Sequence, residues 1–272
     1  MRPGRVRSNI GRDVAEVSQR GQTPVSRRIQ EIPTRRDEMN DDSSHEGMLA
    51  LCGRLESTHT PAVSDILDDM GFMNQAMHAG FATIIPSAVV AGPAYTMDEA
   101  RTKKSKALAD YDPEFVARAL TAIFGNMQKG QVLAVNTNGF SGAGAFGELM
   151  ATTCKYFGGV RAAVVDGPIR DISRILEIEF PVWAKGNIPT DSIGRVDLVG
   201  VGGPIFCGGV RVNPGDVVFA DRDGVVVIPV QDVDLAEVVA RTEDVVAAER
   251  RSRAEIREGS SLLEVYKKYG KL

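Results

Sequence analysis

Histidine is scarce: the 272 residues hold three, at 45, 59 and 78. A metal site built mainly from imidazoles is therefore not expected, and carboxylate oxygens come first as ligands. Cysteine is scarce too. Cys52, Cys154 and Cys207 are far apart and odd in number, so neither a zinc spacing nor a disulfide framework follows, and a reducing cytoplasmic setting is the expectation. No run of about 18 apolar residues occurs, so no membrane span is expected. Charge of one sign is also missing. The net charge of −4 gives no global pull toward nucleic acid or an anionic membrane.

What is present describes a globular chain with a core: 43% hydrophobic and 25% charged residues. Residues 1–46 differ from the remainder. Up to Arg36 they carry nine arginines, no lysine and three acids. A disordered arm or upstream extension, with Met39 and Met48 as later starts, competes with an Arg-rich transit segment. A nucleic-acid-binding arm is the third reading, although no aromatics interleave the arginines. Residues 47–272 are expected to form one domain.

That domain alternates helical and extended patterns, which predicts an α/β fold with a mixed sheet and helices outside. MLALCGRLES predicts one helix and TPAVSDILDDMG another, with Thr60 as cap before Pro61. ATIIPSAVVAG is β-rich and QVLAVN is a strand, with a helix between them over roughly 112–126. FGELMATTCKYF has a helical period, and AAVVDG reads as a strand buried on both faces. VDLVGV, PIFCGGVRV and GDVVFADRDGVVVIP add strands, the last a hairpin around DRDG. A long charged helix over roughly 232–258 and a short one close the chain.

Three stretches have the composition of a site. VVDGPIRD ends a strand, where loops and helix N-termini converge in α/β proteins. Arg170 offers a planar fork for a carboxylate or enolate oxygen, and Asp171 offers hard oxygens for Mg²⁺ or Mn²⁺. The plainer reading is that Asp166 caps a turn and Asp171 favours a helix N-terminus, a gain of about 0.3–1 kcal/mol. GAFGELMA runs a glycine loop into a helix whose first N–H groups form an anion cradle beside Glu148; the plainer reading is tight packing. DRDG holds two acids on what is ordinary turn chemistry.

In order along the chain, TPAVSDILDDMG, GQVLAVN, GELMA, VVDGPIRD, GGVRVNPGDVVFADRDGVVVIP and AEIREGSS resemble the RraA-like family. That family includes metal-dependent 4-hydroxy-4-methyl-2-oxoglutarate aldolases, and the likeness covers residues 50–270. It implies an α/β/β/α sandwich with a mixed central sheet, similar to the swivelling phosphohistidine domain, assembled as homotrimers or hexamers with sites at subunit interfaces. It further implies a class II pyruvate aldolase that needs a divalent metal cation, Mg²⁺ or Mn²⁺, and no Schiff base. Its substrate would be a small 2-oxo acid, with oxaloacetate decarboxylation as a companion activity. By the same resemblance the backbone amides of Gly147, Glu148, Leu149 and Met150 bind substrate, Arg170 contacts the pyruvyl group and Asp171 holds the metal. Glu148 is the candidate for moving the 4-hydroxyl proton. Glu243 or Glu249 of a neighbouring subunit is open as a further ligand.

One branch of the family resembles a non-catalytic regulator that binds a ribonuclease; retention of Gly147 and Asp171 favours catalysis. Departures from the pattern are an extra residue between Gly147 and Arg170, in YFGGVR, which requires a bulge. Asn136 stands where many members carry aspartate, and Phe146 where many carry tryptophan.

Overall fold

The computed structural model describes residues 42–103 and 112–269. The expected arm therefore lies outside the described residues up to position 41. Helix α1 (Asp42–Leu55) begins five residues before the expected domain start.

The valine- and alanine-rich strands set the layers. Strands β3 (Val132–Asn136), β4 (Ala162–Asp166) and β5 (Val182–Ala184) pair in parallel, and β1 (Ala82–Thr83) closes that edge antiparallel to β5. Strand β9 (Val217–Ala220) and β10 (Val225–Ile228) form an antiparallel hairpin. Between the two groups runs β2 (Val90–Arg101). Its residues 90–93 pair with β9, 94–98 with β3, and 97–101 with β6 (Val196–Val201), with a bulge between Asp98 and Glu99. A separate hairpin, β7 (Ile205–Cys207) and β8 (Val210–Val212), completes the strands.

Because side chains alternate across a strand, each buried strand feeds two cores. Leu133, Val135, Ala163, Val165 and Val182 face an outer layer with α3 (Pro113–Phe124), α4 (Glu148–Thr153) and α5 (Ile172–Glu177). Val132, Ala134, Val164 and Trp183 face inward and meet Val218, Ala220, Val225 and Val227 in a sheet-on-sheet core. Val217, Phe219, Val226 and Ile228 face α1, α2 (Thr60–Asp69) and α6 (Leu235–Arg257). The result is helix, sheet, sheet, helix: an α/β/β/α sandwich with a mixed sheet. α7 (Leu262–Tyr269) packs on α6.

Particular residues pin these layers. Trp183 is fully buried, an apolar contribution of about 2–3 kcal/mol, and its indole N–H donates to the Asp221 carbonyl at 2.6 Å. The Asp221 carboxylate accepts from the Thr60 hydroxyl at 2.7 Å and from the Thr60 and Asp223 amides. DRDG is thus a structural corner that clamps α2 to the sheets. The same contacts correct the expected cap. Thr60 is occupied by Asp221, and the helix is capped one residue earlier by His59, whose Nδ1 accepts from the Ala62 amide. In the NPGD turn, Ala94 N–H donates to the Asp216 carbonyl and Gly215 N–H to the Ala94 carbonyl, fixing the middle of β2.

The extra residue in YFGGVR is taken up in a π-helical turn, Cys154–Gly158, which continues α4; a π turn holds one more residue than an α turn. The second half of β2, PAYTMDEAR, was not expected as strand. Its proline and acids argue for a loop, but three partner strands supply the pairing that composition does not.

One consequence is a buried acid. Glu99 is 8% exposed and, among the described residues, its Oε2 has no hydrogen-bond partner. Burial, with Asp98 alongside, raises its carboxyl to about 8. The folded chain therefore holds a proton that the unfolded chain releases near 4.5, and stability falls as pH rises from about 4.5 to about 8. Denaturant unfolding across that window is expected to show a decline of roughly a few kcal/mol, and Glu99→Gln is expected to flatten it. An unchanged slope in the variant would place the titration elsewhere.

Candidate active site

Two segments that the sequence separates lie side by side. Ala145 N–H donates to the Pro168 carbonyl and Arg170 N–H to the Phe146 carbonyl, each at 2.9 Å. Phe146 and Ile169 form a parallel bridge, and Ile169 forms another with Asn187. Phe146 is buried and stacks on Phe180 at 6.1 Å, so this position serves as a core anchor beneath the loop.

The bridges set Arg170 and Asp171 against the start of α4. Asp171 has φ 61°, a left-handed conformation that aspartate tolerates better than most residues. It stands at the N-cap of α5, yet its side chain makes no capping bond to that helix. The carboxylate turns instead toward α4, with Oδ2 3.4 Å from the Glu148 amide and 3.4 Å from Arg170 Nε. Asp171 thus makes no capping bond to its own helix but accepts from the first amide of α4, so its charge still lies at a helix N-terminus. Arg170 reaches a second carboxylate, with Nη1 3.4 Å from Asp191 Oδ1. Asp191 was not among the expected site residues, since NIPTDSIGR carries no motif.

The glycines follow from this closeness. A Cβ on Gly147 would lie 2.8 Å from Asp171 Oδ2. A Cβ on Gly144 would lie 3.0 Å from Arg170 Cβ and 3.2 Å from its backbone nitrogen.

The other expected residues divide. Glu148 sits in the first turn of α4, where its Oε1 accepts from the Thr152 hydroxyl at 2.7 Å. Leu149 is 76% exposed, whereas Met150 packs on the outer core, so any common role for the 147–150 segment belongs to its backbone. Asp166 is engaged by Lys185 at 2.5 Å and by the Gly208 amide at 2.7 Å. Asn136 donates to Asp98 at 2.8 Å, and Asn138 donates to the same oxygen at 2.9 Å. An aspartate at 136 would face Asp98 as a like charge, so the amide suits this chain. Glu243 is held by Arg54 and Glu249 by His59 of the same chain. Burial raises the Cys52 and Cys154 thiols to about 12 and raises Cys207 further, which leaves all three as inert core residues.

Among the described residues no group of three His, Cys, Asp or Glu side chains forms a metal cage. Mg²⁺ needs less: it keeps several waters and is commonly bound through one or two carboxylates plus ligand oxygens. Asp171, with 42% of its side chain exposed, fits that type of donor.

A family model described as Aldolase/RraA matches residues 60–227. The chain belongs to this family. Protein DlpA of Legionella pneumophila is 28% identical over 222 residues, which cover 80% of this chain and 34% of that protein. A Halalkalibacterium halodurans protein provisionally named 4-hydroxy-4-methyl-2-oxoglutarate aldolase is 35% identical over 104 residues, 37% of this chain and 47% of its own length. The matched chain thus spans from about a third to a half of these relatives. Among solved structures, an uncharacterized protein from Pseudomonas syringae pv. tomato superposes with TM-score 0.67 at 26% identity, covering 81% of this chain and 94% of that one. A Streptomyces coelicolor protein described as an unusual member of the RNase ES inhibitor RraA protein family gives 0.64 at 29% identity, with coverage of 75% and 96%. The architecture is therefore that of the RraA fold. Among the described residues no helix is long and apolar enough to cross a membrane.

The two glycines make separable expectations. Gly144→Ala presses on Arg170 Cβ and its backbone nitrogen, which bridging holds in place, and is expected to cost about 1–3 kcal/mol in denaturant unfolding. Gly147→Ala meets only side-chain atoms, the Asp171 carboxylate tip at 2.8 Å and Arg170 Cγ and Nε at 3.3 Å, and is expected to change the unfolding midpoint less while moving Asp171. Equal losses for both variants would refute the difference.

Proposed function

We propose that this chain is a divalent-metal-dependent class II pyruvate aldolase that cleaves 4-hydroxy-2-oxo acids, of the 4-hydroxy-4-methyl-2-oxoglutarate type, to pyruvate. The observation that carries this reading is the packing of Arg170 and Asp171 against the Gly147–Glu148 turn, with Asp171 turned away from its own helix. Family membership and the relatives named as aldolases support it.

Retro-aldol cleavage leaves an electron pair on a three-carbon fragment, and the site must stabilise that enolate. Asp171 would hold the cation, Mg²⁺ or Mn²⁺, which supplies Lewis-acid stabilisation of the developing charge when bound. Arg170 directs a charge-assisted donor at the oxyanion, an interaction commonly worth about 3–4 kcal/mol in such sites. The α4 amides hold a carboxylate of the substrate at a helix start. Glu148 takes the 4-hydroxyl proton, directly or through a water; its link to the Thr152 hydroxyl orients the carboxylate. Loss of CO₂ from oxaloacetate leaves the same enolate, so decarboxylation belongs to the same machinery. The exposed Leu149 on α4 and the exposed Tyr156 and Phe157 in the π turn that continues it support a homotrimer or hexamer in which a neighbouring copy covers them.

The alternative is a non-catalytic binding protein of the ribonuclease-inhibitor type, favoured by the likeness to the Streptomyces protein. Retention of Gly147 and Asp171 argues for the lyase.

Pyruvate release from oxaloacetate and from 4-hydroxy-2-oxo diacids separates the two. With Mg²⁺ turnover is expected, and with EDTA it should vanish. Arg170→Ala is expected to lower kcat by about 10²–10³-fold, and Asp171→Ala should abolish metal-dependent turnover. Full metal-dependent activity in Asp171→Ala would refute the assignment, and no turnover on any of these acids would leave the binding protein.

A further inference from the structure

Three segments meet beneath the Arg170 side chain. The Gly144 amide donates to the Thr190 carbonyl at 2.9 Å, and Gly144 forms a parallel bridge with Asp191. The arginine stem lies against that bridge: a Cβ on Gly144 would sit 3.0 Å from Arg170 Cβ and 3.2 Å from its Cγ. A bare residue at 144 therefore lets the guanidinium reach the acid bridged to it, with Nη1 3.4 Å from Asp191 Oδ1.

Asp191 is held independently of Arg170. Its Oδ1 accepts from the Ile193 amide at 3.3 Å, and its carbonyl accepts from Arg195 Nη1 at 3.1 Å. The Arg195 and Val196 amides both donate to the Ser192 carbonyl at 2.9 Å, which closes the turn into β6. The carboxylate is thus set by its own backbone. Both side chains are about a third exposed or more, 32% for Arg170 and 40% for Asp191, so as an ion pair the contact adds little to stability. Its larger consequence is where it puts the guanidinium.

Among the described residues, Asp171 and Asp191 are the carboxylates in ion-pair range of Arg170, the first at Nε and the second at Nη1, each at 3.4 Å. In the proposed site their fates differ. Once Asp171 is given over to a divalent cation, Arg170 loses one of its two counter-charges and faces a like charge at short range. Asp191, tied to its own turn, stays where it is.

We infer that Asp191 is a positioning residue for Arg170: it draws the guanidinium off Asp171 when a cation binds there and holds it facing the 2-oxo acid, without touching substrate itself. The inference rests on the aldolase reading and adds a competition to it. Arg170 and the cation contend for one carboxylate, and Asp191 decides the outcome in the cation's favour.

A cycle of Asp191→Ala, Arg170→Ala and the double variant tests this with two readouts: Mn²⁺ affinity by electron paramagnetic resonance without substrate, and oxaloacetate decarboxylation with Mg²⁺. Asp191→Ala is expected to weaken Mn²⁺ binding about tenfold and to lower kcat by about 10–100-fold. Asp191→Asn, which keeps an oxygen for the Ile193 amide, should fall between the intact chain and Asp191→Ala. With Arg170 already removed, loss of Asp191 should change neither readout, because the group it acts through is gone. Equal weakening of Mn²⁺ with and without Arg170 overturns the positioning role and makes Asp191 a direct contributor to the cation's field. Unchanged Mn²⁺ affinity and kcat in Asp191→Ala overturns it as well. Either result leaves the aldolase reading standing while the intact chain turns over. If the intact chain neither binds Mn²⁺ nor releases pyruvate, both fall.

Discussion

Everything in this molecule depends on one strand belonging to two sheets. Over twelve residues β2 hands its hydrogen bonds from β9 to β3 and then to β6. Its side chains enter all three cores: Ala91 the α1–α2–α6 side, Val90 and Ala94 the centre, Tyr95 and Met97 the α3–α5 side. A strand that turns between sheets cannot be apolar throughout, because its far end leaves the double layer and meets the loops. That end carries Asp98, Glu99 and Arg101, and the loop after β3 is tied to it through Asn136 and Asn138. The sandwich and the polar rim above it are consequences of the same continuous backbone.

The legible part of the chain is where local pattern and tertiary demand agree. AAVVDG and QVLAVN read as doubly buried strands because both faces meet apolar layers, and the strands lie within one residue of the expected spans. The long charged helix is likewise where its period put it. The second half of β2 was illegible for a physical reason: the pairing of PAYTMDEAR comes from β9, β3 and β6, tens of residues away, and nothing local signals it. The cap of α2 shows the same limit at smaller scale. Thr before Pro is a good cap by composition, but Asp221 claims both the Thr60 hydroxyl and its amide, and His59 takes the position.

In the candidate site, motif and geometry contributed different things. The glycine-to-helix turn and the Arg-Asp pair were visible in sequence, and the resemblance linked them to one chemistry. Their contact rests on bridges between residues 144–146, 168–170 and 187–191 that no spacing rule gives. Asp191 illustrates the gap, an unremarkable loop acid made a neighbour of Arg170 by the Gly144 bridge.

Asp171 brings these constraints together. At the N-cap of α5 it had two ways to use its charge, and an extended backbone is the usual one for capping its own helix. The left-handed backbone at φ 61° swings the carboxylate out of that role and leaves the amides of α5 without it, a local cost of order 1–3 kcal/mol. The cost is offset by the bridges that fix Ile169 and Arg170, and it falls on an acid that faces both an arginine and another helix start. In that position the carboxylate ties the start of α4 to Arg170, joining two segments that lie apart in the sequence. A carboxylate kept half-exposed, unused by its own helix and held beside a guanidinium is the feature on which the proposed cation and substrate site rests.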